Sequence, residues 1–453
     1  MNIDFDLIRK YDRPGPRYTS YPSAVHFAPH HLKGLRQNIA ESNEKPRDLS
    51  LYVHLPFCRS LCWYCGCNTV ITRKQCASSD YLTYLEREIE LVSRMTNPDR
   101  RVVQLHFGGG TPTFLLPEEL KSLVGMLRKK FEFAPSPEAG VEIDVRTLTP
   151  EHIAALREAG FNRASFGVQD DTPEVQQAIH RVQPYEQTAE AVQRVRDAGF
   201  SGVSFDLIYG LPLQTPESFS LTLDNVIKLQ PNRLSVFSYA HVPSIKPAQK
   251  LLERVGLPGT EAKLELLRIT VEKMQAAGYE YIGLDHFARH DDELAVALRS
   301  GTLRRNFQGY STQAPADVYG LGVSSISQIQ GAYWQNQKLL PEYYAALDRD
   351  ELPWNTGYVL GEDDRIRAAV IMSLMCNLSV DFAEQSEQAG YDYREYFAPE
   401  LESLRAFEDD GLVSFQSDTM EVSAAGRFVI RSIAMQFDHY MSSRPSACYS
   451  RAV

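Results

Sequence analysis

At 453 residues the chain exceeds one ordinary domain of about 100–200 residues, so two or three units are expected. Its 43% hydrophobic and 23% charged residues are the balance of a folded chain with a sizeable core, without an apolar run long enough to span a bilayer. A formal net charge of −11 argues against non-specific binding to nucleic acid or anionic membrane, which basic groups drive by displacing counterions, and leaves room for a local basic pocket.

Residues 1–48 come first in chain order. The acidic start, Met1–Asp6, lacks the basic flank and apolar stretch of an export signal, which points to a cytoplasmic protein. The segment Pro14-Gly15-Pro16-Arg17-Tyr18-Thr19-Ser20-Tyr21-Pro22 is too rigid and aromatic for a disordered tail. From Leu49 six β-rich runs alternate with helical periods: Leu49–Leu55, Val102–Phe107, Val141–Val145, Arg163–Val168, Gly202–Ile208 and Arg233–Tyr239. That is the pattern of parallel strands joined by crossover helices. Tyr81, Leu85, Ile89 and Val92 recur at helical spacing and are expected to face the sheet. A further helix is expected to be capped by Thr149, to begin at Pro150 and to stop at Gly160. Gly108–Pro112, Gln169-Asp170 and Tyr209–Pro212 follow strands directly, at the carboxyl ends where parallel sheets bind ligands. Six such units form either an open barrel or a doubly wound sheet, and periodicity leaves both open. Residues 256–360 read as mixed, with a helix near Glu261–Ala277 and an apolar run at Val318–Ile326. From about Asp363 the chain turns helical, and Gly411–Phe415 with Met420–Val422 reads as a hairpin before a helix near Ala425–Phe437. That layout suggests a small winged-helix-like domain.

Of seven cysteines, Cys58, Cys62, Cys65 and Cys67 fall within ten residues, while Cys76, Cys376 and Cys448 are scattered. In a chain without an export signal, such a cluster points to metal binding or catalysis and away from a disulfide framework. The spacing is C-x3-C-x2-C-x-C just after a strand. Thiolates are the preferred ligands of iron–sulfur clusters, and three of them on four irons leave one iron open. An open iron can take a small molecule through an amine and a carboxylate. A structural zinc site would pair two separated ligand knuckles, and no second knuckle appears.

The C-x3-C-x2-C loop after the first strand resembles the signature of the radical S-adenosylmethionine (SAM) superfamily. Its extended form, Tyr52-Val53-His54-Leu55-Pro56-Phe57-Cys58 with Gly66-Cys67-Asn68, and the segment Gly15–Pro22 are similar to the oxygen-independent coproporphyrinogen III oxidase family. The likeness continues through Asp206–Pro212, Asp285–Arg289 and Asn306–Tyr310. It implies an α/β fold, an open (β/α)6 radical SAM barrel with an N-terminal segment and a mainly helical, winged-helix-like C-terminal domain. The expected division is a substrate lid at 1–48, barrel and extension at 49–360, and a helical domain at 361–453.

The resemblance also implies site residues. Cys58, Cys62 and Cys65 would ligate one [4Fe-4S] cluster, and Cys67 would stand near the second SAM or the substrate, or be a partly buried loop thiol. One SAM would meet Tyr52, Gly109, Glu142 and Ile326. A second would meet Tyr64, Gly110, Thr111, Gln169, Arg181, Asp206 and Ala240. Two positions depart from the family pattern: Val145 stands where proline is usual and His180 where asparagine is common. A lone histidine beside an arginine reads as a polar packing residue.

The implied reaction converts two propionate side chains of coproporphyrinogen III to vinyl groups, giving protoporphyrinogen IX. A 5′-deoxyadenosyl radical would take a hydrogen from each propionate β-carbon, and each loss of carbon dioxide would pass one electron to an acceptor. The partners implied are the tetrapyrrole and a small electron donor such as a flavodoxin or ferredoxin, on a monomer without nucleic acid or membrane. A substrate with four carboxylates calls for a basic, aromatic-lined pocket, for which Arg17, Tyr18, Tyr21, Arg304, Arg305 and Tyr310 are candidates. Two other classes remain in view. The haem chaperones share the cysteine loop, but typically have phenylalanine where Cys67 stands and lack the Gly15–Pro22 segment. A zinc-dependent regulator would use the winged-helix-like region on DNA, against the chain's acidity.

Overall fold

The six β-rich runs become six parallel strands in the computed structural model, which describes residues 4–313, 315–442 and 449. Two units are distinguished by their internal contacts: Phe27–Lys273 with Gln313–Val359, and Met1–His26 with Met274–Thr312 and Leu360–Val453.

In the first unit the chain runs β1 (Leu49–Leu55), α1 (Cys76–Met95), β2 (Arg101–Gly109), α2 (Pro117–Lys130), β3 (Glu132–Ile143), α3 (Pro150–Glu158), β4 (Arg163–Gln169), α4 (Tyr185–Asp197), β5 (Gly202–Tyr209), α5 (Pro216–Lys228) and β6 (Arg233–Ser238). The strands lie side by side in sequence order, each parallel to the next. A doubly wound sheet would reverse its order partway. Here every crossover advances the same way, as in a barrel wall, so the topology resolves what periodicity left open.

The strands show why the wall can enclose chemistry. Parallel strands covered on both faces usually read as continuous apolar runs. These alternate instead. Leu51, Val53, Leu105, Phe107, Val141, Phe166, Phe205, Leu207, Leu234 and Val236 are fully buried on one face. The intervening positions carry Tyr52, His54, His106, Glu142, Ser165, Asp206 and Ser235. Because successive side chains of a strand point to opposite faces, all seven fall on the other side.

The mixed region 256–360 holds more sheet than expected. β7 (Asp317–Leu321) pairs in parallel with β1, and β8 (Ile326–Ile329), β9 (Ala332–Asn336) and β10 (Trp354–Val359) follow antiparallel. The helix near Glu261 spans Thr260–Ala276. Strand β3 stops at Ile143, short of Val145, because the Asp144 carboxylate accepts the Arg146 amide at 3.0 Å and turns the chain. At α3, Thr149 accepts the His152 amide, Pro150 is the first residue and Gly160 follows the helix with φ +100°, all as expected.

The second unit contains the helix Glu362–Asn377 and a three-stranded antiparallel sheet. Its hairpin is Val413–Gln416 with Thr419–Val422, and Ser379–Asp381 adds a third strand that sequence pattern does not reveal. The helix expected near Ala425–Phe437 is broken into a 3₁₀ turn at Gly426–Val429, an α-turn at Ile430–Ala434 and a second 3₁₀ turn at Met435–Phe437. Tyr18 donates to Asp438 at 2.9 Å and Tyr21 accepts the His439 amide at 3.1 Å, which fixes the aromatic N-terminal segment in this unit.

One buried carboxylate ties α1 to the sheet. Glu88 accepts from the Gly322 amide at 2.7 Å, Tyr343 at 2.6 Å and Asn336 at 2.5 Å. Tyr81, two turns earlier, donates to the His54 carbonyl at 2.8 Å. Burial raises the Glu88 carboxyl from an ordinary 4.5 to about 7, against the pull of its three donors. The folded chain therefore keeps the proton through pH 4.5 to 7 while the unfolded chain loses it. The stabilisation is complete below that window and lost as pH rises through it. Glu88→Gln is expected to gain on the wild type by roughly 3 kcal/mol between pH 4.5 and 8, because each tenfold change in proton affinity is worth about 1.36 kcal/mol. Urea unfolding of both proteins across that range checks this, and a constant difference would contradict it.

Candidate active site

The four clustered cysteines occupy the loop after β1, and backbone bonds anchor it at several points. The Val70 amide donates to the Pro56 carbonyl at 2.8 Å, Thr72 to Cys58 at 3.0 Å and Trp63 to Ile179 at 3.0 Å. His180 accounts for its own place: its ring stacks on Trp63 at 5.3 Å and its Nδ1 bonds the Leu61 carbonyl at 2.7 Å. Gln249 donates to the carbonyls of Tyr64 and Ala240, at 3.0 and 3.2 Å, bringing the loop and the end of β6 together.

Polar groups address each of the first three thiols. Thr111 lies 3.3 Å from Cys58 Sγ. Arg146 Nη2 and Arg181 Nη1 reach Cys62 Sγ at 3.4 and 3.7 Å. The thiol of Cys65, a free cysteine, is held below its usual range by hydrogen bonding from Cys67, also free. Burial instead pushes Cys58 up to about 11, so ligation there must displace a proton. Cys67 itself is exposed. Among the described residues no group of three histidine, cysteine, aspartate or glutamate side chains is drawn together around a single metal ion. Cys76 is exposed, Cys376 is buried in the second unit, and Cys448 lies outside the described residues.

Behind Cys62 stands a charged group that the sequence pattern alone does not assign. Asp144 accepts Arg146 Nη2 at 2.6 Å and Arg181 Nη1 at 3.1 Å. Burial pushes its carboxyl up, but the two guanidinium groups outweigh burial and hold it below the usual range. Arg181 also donates to the Gly167 carbonyl at 2.7 Å, while its buried Nε has no partner. A signal is present in the sequence: Asp144 and Arg146 stand two residues apart directly after β3.

A second group lies on the polar side of β1 to β6. Glu142 accepts the Gly109 amide at 3.1 Å and lies 3.3 Å from His106 Nε2. Its carboxyl is raised by burial but held below the usual range by His106 and the amide. Asp206 is pushed up to about 6 by burial and by the Glu142 charge, with Ser165 donating at 3.3 Å. Two carboxylates with separated proton affinities therefore share this space. Tyr52 stacks on His106 at 5.9 Å and bonds His54 Nδ1 at 3.2 Å. His54 Nε2 lies 2.9 Å from the Asn68 carbonyl, which only accepts, so Nε2 carries the proton and burial keeps the ring neutral.

The glycines beside these groups are needed for their smallness. A Cβ on Gly110 would stand 2.5 Å from the Pro56 carbonyl oxygen, and one on Gly109, where φ is +117°, 2.7 Å from the His54 ring. Ile326 comes near Tyr52 through the sheet: Tyr52 pairs with Gly320, whose Cβ would meet the Ile326 backbone at 2.5 Å. Gln169 is buried at the end of β4 with φ +67°, and its side chain lies beside Gly167, as that of Arg181 does. All the residues expected to hold cluster and SAM thus lie in the first unit.

Comparison with known proteins places this geometry. The Radical SAM superfamily model matches residues 52–226, and the HemN C-terminal domain model matches residues 360–429. The oxygen-independent coproporphyrinogen III oxidase of Pseudomonas aeruginosa is 46% identical over 457 residues, covering 99% of this chain and 98% of that one. Its counterpart from Escherichia coli is 45% identical over 447 residues, covering 98% and 97%. The solved structure described as coproporphyrinogen III oxidase (HemN) from Escherichia coli, a radical SAM enzyme, superposes with a TM-score of 0.93 at 44% identity, covering 97% of this chain and 99% of that one. With relatives this similar over nearly its whole length, the chain belongs to the oxygen-independent coproporphyrinogen III oxidase family of radical SAM enzymes.

Proposed function

We propose that this chain carries out the oxidative decarboxylation of two propionate side chains of coproporphyrinogen III without oxygen, giving protoporphyrinogen IX in haem biosynthesis. The observation that carries the reading is end-to-end family membership joined to a cysteine loop whose thiols are individually addressed by Thr111, Arg146, Arg181 and Cys67. Each conversion removes one hydrogen atom from the propionate β-carbon and one electron, and releases carbon dioxide as the vinyl double bond forms.

Cys58, Cys62 and Cys65 would hold one [4Fe-4S] cluster. The fit rests on Cys62, whose Sγ lies 3.4 and 3.7 Å from the Arg146 and Arg181 guanidinium groups, cations that would balance the negative charge of a thiolate-bound cluster. When bound, the cluster and SAM supply the one-electron and radical chemistry. The chain's own groups bind and orient. Glu142 suits ribose hydroxyls, and Gly109 with Tyr52 and Ile326 would complete the first SAM site. Tyr64, Gly110, Thr111, Gln169, Arg181, Asp206 and Ala240 would form the second, with the unpartnered Arg181 Nε a donor that a ligand can use. The working form would be a cytoplasmic monomer that receives electrons from a flavodoxin or ferredoxin.

Two measurements bear on this. Anaerobic incubation of the reconstituted protein with reductant, SAM and coproporphyrinogen III should yield protoporphyrinogen IX with two 5′-deoxyadenosine per product. Release of 5′-deoxyadenosine without decarboxylation, or tight stoichiometric haem binding without turnover, would sink the assignment. Equilibrium dialysis should count two SAM per reconstituted wild-type chain. Glu142→Ala and Asp206→Ala should each weaken one of the two, by about tenfold to a hundredfold for a lost charge-assisted hydrogen bond. A single SAM in the wild type would refute the second site.

A further inference from the structure

The second unit contains two buried arginines, Arg305 and Arg427, that no carboxylate contacts among the described residues, although the Glu280 charge acts on Arg427 from a distance. Arg305 lies in a short strand, Arg304–Asn306, paired with Gly309–Ser311 so that Arg305 stands opposite Tyr310. Its guanidinium sits 4.6 Å from the Tyr310 ring centre. Only 8% of the residue is exposed, and its Nε and Nη1 are buried without a hydrogen-bond partner. Arg427 acts on the same phenol, stacks at 5.2 Å on Tyr281 and donates to the Tyr281 carbonyl, leaving its buried Nε without a partner. The Arg17 charge also acts on that phenol from a distance, and Arg17 is bridged to Asp285. Neither Arg305 nor Arg427 has an ion-pair partner among the described residues.

Guanidinium groups stay charged, so burial cannot neutralise them as it does a lysine or a carboxyl. An unsatisfied buried donor costs about 1–3 kcal/mol, and a charged one more. Tyr310 does not relieve the deficit, because its hydroxyl donates to the Met375 carbonyl at 2.9 Å and offers Arg305 only its ring face. The nearest thiol, Cys376, is pushed up to about 12 by burial and stays neutral beside Arg305. The other aromatic candidates are already engaged, Tyr18 on Asp438 and Tyr21 on the His439 amide. What this corner lacks is an anion with oxygens in a plane, which two guanidinium forks match.

We infer that Arg305 and Arg427 bind propionate carboxylates of the tetrapyrrole, with Tyr310 as the platform that holds Arg305 in place. The inference rests on the substrate class proposed above and adds the residues that read it. A tetracarboxylate offers more carboxylates than the two that react, so a pair of fixed cations can bind arms that are not being converted.

The test is binding of coproporphyrin III, the fluorescent oxidised ring with the same four carboxylates, to the reconstituted full-length protein, beside its tetramethyl ester. Arg305→Met and Arg427→Met should each weaken the tetra-acid by about tenfold or more, the size of a lost charge-assisted contact, and leave the ester unchanged. Arg305→Lys, which keeps charge without the fork, should fall between. Cluster absorbance and melting temperature identify any variant that fails to fold, and Arg427→Met and Arg305→Lys then carry the test. Equal tetra-acid affinity in a folded variant overturns the inference, as does an equal loss for acid and ester. If the wild type binds the tetra-acid but does not decarboxylate coproporphyrinogen, the proposed reaction fails while the carboxylate site stands.

Discussion

The site depends on one arrangement of charge: Asp144 gripping Arg146 and Arg181 so that both guanidinium groups reach Cys62. Two buried arginines would otherwise repel each other, and thiolates of one short loop would do the same. A single carboxylate between the cations lets both stay close to one sulfur. Removing Asp144 would leave two uncompensated buried charges, which costs more than the pair contributes.

Everything else positions that arrangement. The alternation of the six strands gives the wall an apolar face to pack and a polar face to work with. Asp144 and Arg146 follow β3, Arg181 follows β4, and the cysteines follow β1, so three strand ends converge on one loop. Tyr81 and Glu88 of α1 hold the far side of that loop's root, through the His54 carbonyl and the Gly322 amide. Gly109 and Gly110 let the end of β2 and the turn after it lie against His54 and Pro56, closer than any side chain permits.

Much of this is legible in the sequence, and the physical reason differs by element. The strands are legible because alternation and length are local properties, and the Thr149 cap because its hydrogen bond closes within three residues. The cysteine loop is legible because its ligand types are rare and closely spaced. Strand β7 is not, since Val318–Ile326 is short and apolar and the strand's parallel partner β1 lies far away in the chain. Asp144 escapes notice because its partner Arg181 is 37 residues distant, and its role exists only once β3 and β4 pair. The isolated state of Arg305 is invisible to any pattern, because it consists of partners that are missing. His180, by contrast, behaves as a packing residue, and Val145 leaves Glu142 within its strand.

Three of the four clustered thiols, and not the fourth, would hold an iron–sulfur cluster with one iron left for SAM. Iron and sulfide content, with the electron paramagnetic resonance of the reduced protein before and after SAM, tests it most directly in four single cysteine-to-alanine variants. Cys58→Ala, Cys62→Ala and Cys65→Ala should lose the cluster, whereas Cys67→Ala should keep four irons and a signal that shifts when SAM is added. A cluster retained without Cys62, or lost without Cys67, would contradict the account.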